Sequence, residues 1–171
     1  MKFPAIIIVG AHNSGKTTFI EKVIKLLTEK GYTVTAVKHD PKGKAKTDTE
    51  GKDSWKMYNA GAKQVILASP NKITSYIRPE VEYNPEYILE NLILGKPDIV
   101  IFEGFKQYSG IDKFEVIRKE ENRELISNPS EIKGVITDYY KFPIRFDINQ
   151  PEEFVKYIEE KYIKSSSRRT V

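Results

Sequence analysis

The residues with the clearest chemistry lie near the start of the chain, at positions 10–18. Two glycines, Gly10 and Gly15, enclose a short polar stretch, and Lys16 follows the second of them. Glycine lets the backbone approach an oxyanion closely, and the N–H groups that open a helix have no internal acceptor. The Lys16 ammonium can reach the β- and γ-phosphates of a nucleotide. We therefore predict a phosphate-binding loop, or P-loop, whose ligand contacts come from Gly10, His12, Asn13, Ser14, Gly15, Lys16, Thr17 and Thr18.

Oxygen ligands for a magnesium ion are found at two other places. Thr17 offers a hydroxyl, and Glu103 follows the apolar stretch 98–102, at the end of a strand where ligands bind in open α/β sheets. Asp40 also ends a predicted strand. We predict Thr17, Asp40 and Glu103 as metal ligands and Lys16 and Glu103 as the catalytic residues. The alternatives are a solvated strand-end carboxylate for Glu103 and turn initiation before a proline for Asp40.

The order of elements predicts an α/β protein with the three-layer fold of P-loop NTPases. Segments typical of strands and helices alternate along the chain, which favours a mostly parallel sheet. Two short strand-like segments separated by a turn predict an antiparallel hairpin added to that sheet. We expect one domain over 1–164 and a disordered tail over 165–171. The predicted strands are 3–9, 33–38, 64–68, 73–77, 98–102, 114–118 and 135–137, and the predicted helices are 16–30, 53–60, 84–94 and 151–163.

Composition excludes several classes of protein. The chain has 171 residues, a formal net charge of +4 and no cysteine, so disulfides and thiolate metal sites are absent. No apolar stretch approaches the length of a membrane span, and we expect a cytoplasmic protein without membrane partners. The charge is too evenly mixed to favour nucleic acid as a partner.

Four further residues are weaker candidates for nucleotide or cofactor contacts. Lys52 and Asp53 open a predicted short helix whose N–H groups could meet an anion, although Asp53 could instead be its N-cap. Lys106 follows Glu103 and could contact a cofactor phosphate, or be an ordinary solvated lysine. Asp138 follows the strand 135–137, where a carboxylate could accept hydrogen bonds from guanine, or simply cap a loop.

With these residues identified, the chain resembles the molybdopterin-guanine dinucleotide biosynthesis protein B (MobB) family. Four local matches carry the resemblance: the loop at 10–18, Val37-Lys38-His39-Asp40, the stretch 48–54 running on to 60–62, and Glu103-Gly104-Phe105-Lys106 with 113–118 downstream. Gly51-Lys52-Asp53-Ser54 combined with the fourth match is the most specific feature. Pro41-Lys42-Gly43-Lys44 departs from the family, which often carries more histidine or aspartate there.

The resemblance implies a GTP-binding adapter that assists attachment of GMP to molybdopterin. Its cofactors would be GTP and Mg²⁺, with molybdopterin or its guanine dinucleotide as cargo, and its activity at most that of a slow GTPase. It would be a homodimer whose partners are the molybdopterin guanylyltransferase and molybdopterin-carrying proteins. The preference for GTP over ATP rests on this resemblance, since the chain lacks the Asn-Lys-x-Asp motif of regulatory GTPases.

A kinase for small molecules or nucleotides is the alternative in the enzyme class. Such a kinase closes a lid that brings arginines onto the transferred phosphoryl group. Arg118, Arg123 and Arg145 are scattered along this chain, so the sequence does not support that pattern.

Overall fold

The computed structural model describes residues 3–139 and 141–167. Their elements are β1 (Ala5–Gly10), α1 (Lys16–Glu29), β2 (Val34–Lys38), α2 (Asp53–Asn59), β3 (Gln64–Ser69), β4 (Lys72–Ile77), α3 (Pro85–Asn91), β5 (Ile99–Glu103), β6 (Lys113–Val116), β7 (Ile132–Thr137), β8 (Arg145–Asp147), α4 (Glu152–Ile158), a π-helical stretch (Glu159–Ile163) and α5 (Lys164–Ser167). None of these helices is long and apolar enough to cross a bilayer.

These elements form two compact units. The first contains the described residues up to His39 and from Asn84 onward, and the second is Asp40–Tyr83. The prediction of a single domain over 1–164 stays a prediction. The second unit is inserted between two parts of the first, and an inserted unit need not fold by itself.

The first unit is a three-layer α/β structure, as predicted. Its sheet has six strands in the order β2-β5-β1-β6-β7-β8, and every neighbouring pair is parallel. The central strand β1 is buried along its whole length, so it is apolar on both faces. Ile6 and Ile8 pack in the core formed with α1 and α4, whereas Ile7 and Val9 pack in the core formed with α3.

The second unit contains the predicted hairpin. Strands β3 and β4 pair antiparallel from Gln64↔Ile77 to Ser69↔Lys72. They form a sheet of their own and do not extend the parallel sheet. The burial pattern gives the physical reason, since Val65 is the only buried residue of the two strands, whereas strands inside the main sheet are buried on both faces.

The helix boundaries agree with the local signals in the sequence. Asn84 caps α3 by accepting a hydrogen bond from the Tyr87 N–H at 2.8 Å, and Gly31 follows α1 with φ +86°. Strand β8 was not predicted, because it has three residues and only Phe146 is buried. Residues 165–167 belong to the helical turn α5, residues 168–171 lie outside the described part of the chain, and the disordered tail over 165–171 stays a prediction.

A buried carboxylate fastens the C-terminal helical segment to the end of α1. Glu159 begins the π-helical stretch, and its side chain is 12% exposed. It accepts hydrogen bonds from Lys30, from Lys164 at 2.9 Å and from the Tyr32 hydroxyl at 2.9 Å. These donors, with Lys30 the strongest, lower the pKa of Glu159 to about 2.

This cluster predicts acid-sensitive stability. Because the pKa of Glu159 is lower in the folded state than its ordinary 4.5, its contribution is complete above pH 4.5 and is lost as pH falls towards about 2. Glu159→Gln should lower the free energy of unfolding at pH 7 by about 1.5–3 kcal/mol, the usual contribution of a hydrogen bond to a charged group. Urea titrations from pH 7 to pH 3 measure both effects. The exposed neighbour Glu160→Gln is the control, and equal stability losses in the two variants would contradict the assignment.

Candidate functional site

The loop between β1 and α1 has a backbone that only glycine permits at both ends. Gly10 has φ +154°, and a Cβ there would lie 2.6 Å from the Val116 carbonyl oxygen and 2.8 Å from the Ser14 Oγ. Gly15 has φ +91° and stands at the N-cap of α1. A side chain at either position would disturb the turn, so both glycines are required for the concave loop that the sequence predicts.

The start of α1 provides donors and positive charge to that loop. The N–H groups of its first turn, at Lys16, Thr17 and Thr18, have no acceptor within the helix, and this turn contains no acidic residue. The Lys16 ammonium folds back over the loop and donates to the Ala11 carbonyl oxygen. Such an arrangement of amide hydrogens and an ammonium group suits the oxygens of a phosphate.

The electrostatic surroundings of Lys16 are those of a cationic pocket. Burial lowers the pKa of Lys16 below its ordinary 10.5. The Glu103 carboxylate opposes this fall, whereas the ammonium groups of Lys106 and Lys38 add to it. Two lysines that are distant in sequence therefore act on Lys16, which the sequence identified from its own loop.

Glu103 reaches the same rim from the neighbouring strand. Strand β5 pairs parallel with β1 in a register that places Glu103 opposite Ile8, so both strands end at one edge of the sheet. The Thr17 hydroxyl lies 3.0 Å from Oε1 and 2.9 Å from Oε2 of Glu103 and donates to the carboxylate. The structure thus brings together the loop hydroxyl and the strand-end carboxylate, both of which are suitable oxygen ligands for Mg²⁺.

Lys38 is a residue of this rim that the sequence analysis did not select. It ends β2 and stands opposite Glu103 in the parallel register of β2 and β5. Its ammonium lies 3.0 Å from Glu103 Oε1 and 3.4 Å from the Thr17 Oγ1. Its position in the Val-Lys-His-Asp match was visible in the sequence, but only the strand order shows which carboxylate it meets.

The backbone of Glu103 is held by an interlocked pair of strand ends. The His39 N–H donates to the Glu103 carbonyl oxygen at 2.9 Å, and the Phe105 N–H donates to His39 Nδ1 at 3.3 Å. The rings of His39 and Phe105 stack with centroids 4.0 Å apart and planes 8° apart. Gly104 has φ +104°, and a Cβ there would lie 2.8 Å from the His39 Cβ. The glycine between Glu103 and Phe105 therefore leaves room for the His39 side chain, which holds this turn in place.

These groups enclose one cavity of about 390 Å³, a volume within the usual range for small-molecule sites. Within the described residues no group of three or more histidines and carboxylates could hold a metal ion alone. A single carboxylate with a hydroxyl nevertheless fits Mg²⁺, which commonly shares its coordination with substrate phosphates and water. The cavity is lined by His12, Asn13, Gly15, Lys16, Thr17, Thr18, Lys38 and Glu103.

On the other side of β1, a buried ion pair holds the segment that follows β6. Glu115 is fully buried and accepts hydrogen bonds from the N–H groups of Ile126 and Ser127 at 2.9 and 3.0 Å. Arg123 donates to Glu115 at 2.9 Å and to Glu121 at 2.7 Å. The guanidinium of Arg123 is therefore engaged in structure, which does not favour a lid arginine of the kinase alternative.

Asp138, predicted to accept from guanine, follows β7 in this unit. Its Oδ1 accepts a hydrogen bond from the Lys119 N–H at 2.7 Å, and its Oδ2 lies 3.7 Å from the Arg118 Nε. The carboxylate thus anchors the neighbouring segment, as the capping alternative implies. Its recognition of guanine stays a prediction.

Lys106 is exposed, and its backbone oxygen accepts a hydrogen bond from the buried Lys113.

The remaining predicted site residues belong to the second unit. The Asp40 carboxylate accepts a hydrogen bond from the Ala45 N–H at 2.6 Å and closes a turn. Lys52 occupies the capping position of α2 and Asp53 its first helical position, so the alternative that makes Asp53 the N-cap is wrong. The nucleotide and metal roles of Asp40, Lys52 and Asp53 stay predictions.

The parallel sheet and glycine-lined loop together define a protein of the P-loop NTPase-like α/β class. Comparison with known families narrows this class, because the model for molybdopterin guanine dinucleotide synthesis protein B matches residues 5–138. The chain belongs to this family, MobB.

Individual relatives agree with that assignment. The chain is 32% identical over 163 residues to the molybdopterin-guanine dinucleotide biosynthesis adapter protein of Haemophilus influenzae, covering 92% of this chain and 89% of the relative. It is also similar to a crystal structure of molybdopterin-guanine biosynthesis protein B, with 32% identity, a TM-score of 0.67 and coverage of 91% and 97%. The crystal structure of Bacillus subtilis MobB has 26% identity, a TM-score of 0.68 and coverage of 94% and 98%.

The loop geometry predicts that Lys16 is needed for binding a triphosphate. Lys16→Ala removes the ammonium over the loop and should weaken binding of a nucleoside triphosphate by about tenfold to a hundredfold, the usual effect of losing a charge-assisted hydrogen bond. Calorimetric titration measures the affinity. The control Lys22→Ala removes the same charge from an exposed position of α1 and should bind as the wild type does. Retained affinity in the Lys16 variant would contradict the site.

Proposed function

We propose that the chain is a GTP-binding adapter in the synthesis of molybdopterin guanine dinucleotide. The single observation that carries this proposal is the convergence of Thr17 and Glu103, at 2.9–3.0 Å, beside the glycine-lined loop. Membership of the MobB family and the adapter role named for its relative in Haemophilus influenzae support the pathway.

In this proposal the triphosphate occupies the cavity at the start of α1. The N–H groups of 15–18 and the Lys16 ammonium contact its oxygens, and Thr17 and Glu103 hold Mg²⁺. Bound Mg²⁺ supplies charge neutralisation between the phosphates. Guanine rather than adenine is part of the proposal, and the Asp138 carboxylate is its candidate acceptor.

Hydrolysis of GTP is proposed to be slow. A water oxygen bonds to the γ-phosphorus while the bond to the β–γ bridging oxygen breaks, giving GDP and inorganic phosphate. Glu103 can accept a hydrogen bond from that water. Fast GTPases add an arginine that stabilises the transition state, but in this chain Arg118 pairs with Asp138 and Glu120, and Arg123 pairs with Glu115 and Glu121.

The adapter role requires partners and a cargo. We propose the molybdopterin guanylyltransferase and molybdopterin-carrying proteins as partners, acting together in the cytoplasm. Lys106 is exposed, and its charge helps to lower the pKa of Lys16, so we propose Lys106 as the contact for the phosphate of a bound molybdopterin. Molybdopterin or its guanine dinucleotide would be the cargo.

A homodimer is the proposed assembly, with the β3–β4 hairpin as its interface. The register places Ile66, Ile73 and Ile77 on one face of the two-stranded sheet. Ile66 is 60% exposed and Ile73 72% exposed. A two-stranded sheet is marginally stable alone, and an apolar face of this kind is typical of a protein interface. A second copy presents the same face, which suits a two-fold symmetric contact.

Titrations of GTP and ATP, with and without the purified guanylyltransferase, test the adapter proposal. With Mg²⁺ present, GTP should bind at least about tenfold more tightly than ATP, the effect of one satisfied set of polar contacts. The wild type should form a complex with the transferase that depends on GTP, and Lys16→Ala should abolish this dependence. Hydrolysis followed in the same samples should be slow and slower still in Glu103→Gln. Equal affinity for both nucleotides, or rapid phosphoryl transfer to an added small alcohol, would overturn the proposal.

The dimer proposal predicts a strong effect of charge at the hairpin. Ile73→Glu should raise the dimer dissociation constant by about a hundredfold, because it removes apolar burial and places a carboxylate in the contact. Sedimentation velocity over a range of protein concentrations measures the constant. Ser69→Glu adds the same charge on the opposite face of the hairpin and serves as the control. An Ile73→Glu protein that dimerises as the wild type does would show that this face is not the interface.

A further inference from the structure

The ammonium of Lys38 contacts the same two side-chain groups that the proposed function assigns to Mg²⁺. It lies 3.0 Å from Glu103 Oε1 and 3.4 Å from Thr17 Oγ1, and the Thr17 hydroxyl itself donates to Glu103. All three groups line the cavity beside the loop. The triad therefore consists of one carboxylate, one hydroxyl and one cation supplied by the chain.

A divalent ion and this ammonium cannot both use these oxygens in full. Mg²⁺ binds oxygen at about 2.1 Å and requires lone pairs directed at it. Lys38 occupies one acceptor site on each of Glu103 Oε1 and Thr17 Oγ1, and further lone pairs remain on both groups. An ion held by both groups would nevertheless lie within a few ångströms of the Lys38 ammonium, and the repulsion between the two cations favours displacement of Lys38.

The rest of the pocket also disfavours a divalent ion on its own. Lys16 and Lys38 both line the cavity, whose lining contains one carboxylate, that of Glu103, and the charges of Lys38 and Lys106 lower the pKa of Lys16. A triphosphate reverses this balance, because its negative charges attract the lysines and supply further oxygens for the ion.

We propose that Lys38 is an internal counter-ion of Glu103 that makes divalent-cation binding depend on the nucleotide. This inference rests on the proposed function, since it concerns the same metal position. Lys38 competes with the free ion for Glu103 and Thr17, and the phosphates remove that competition by drawing the ammonium towards themselves. Its side chain is 64% exposed, which leaves the long alkyl stem free to move between the two positions.

Positioning by the strand ends supports this role. Lys38 and Glu103 are cross-strand partners in the parallel register, and the adjacent His39 is bonded to the backbone of Glu103 and Phe105. The two Cα positions are therefore held by the sheet, so the distance between carboxylate and ammonium depends only on side-chain rotation.

Titration of Mn²⁺ into the protein without nucleotide, followed by the electron paramagnetic resonance signal of the free ion, tests this inference. Mn²⁺ takes the oxygen ligands that Mg²⁺ takes. Lys38→Met should bind Mn²⁺ about tenfold more tightly than the wild type, since a cation within a few ångströms of the ion is removed. Lys38→Arg retains the charge and should bind Mn²⁺ as weakly as the wild type.

Two controls assign the gain to this position. Lys22→Met removes one exposed charge from α1 and should leave Mn²⁺ affinity unchanged, whereas Lys38→Met combined with Glu103→Gln should lose the gain. Circular dichroism verifies that each variant is folded. An unchanged affinity in Lys38→Met, an equal gain in Lys22→Met, or a gain that persists in the double variant would each overturn the inference. The Mn²⁺ titration contains no nucleotide, so it does not depend on the GTP site. If the wild type binds GTP and Lys38→Met shows no gain in Mn²⁺ affinity, the role of Lys38 is overturned and the proposed GTP site is not.

Discussion

Parallel pairing of β1 with β5 is the constraint on which the site depends. Both strands are buried almost throughout, and their register brings Gly10 and Glu103 to one edge of the sheet. Parallel strands place all their carboxyl ends on the same side, so a loop that follows one strand and a carboxylate that ends the next must meet there. The Thr17–Glu103 contact follows from this pairing and from the helix that begins directly after the loop.

Charge balance is the second organising feature of the rim. The Glu103 carboxylate pairs with the Lys38 ammonium, and the charges of Glu103, Lys38 and Lys106 all affect the pKa of Lys16. Such surroundings favour an anion over a free cation, and the proposed metal ion would be favoured there only together with phosphate oxygens. The loop, the counter-ion and the proposed magnesium position therefore act as a single electrostatic unit.

Local signals in the sequence were sufficient for the elements nearest the site. The glycine spacing at 10 and 15 predicted the loop, and the apolar stretch before Glu103 predicted the strand that presents it. Pairings with distant partners were beyond such signals. Strand β8 has three residues, too few to show a hydrophobic period. The N-cap of α2 is Lys52, which follows a turn closed by its own N–H and the Thr49 carbonyl oxygen, and side-chain propensity does not identify it.

The sequence by itself determined that a glycine-lined loop stands between a buried strand and a helix, because those requirements are met by neighbouring residues. It also carried the motifs by which the family is recognised. Only the tertiary structure decided that Lys38 forms an ion pair with Glu103, that His39 stacks on Phe105, and that Asp138 accepts a hydrogen bond from the Lys119 N–H. These contacts join residues 19 to 66 positions apart, and which of them form depends on strand order and register, which local sequence does not specify.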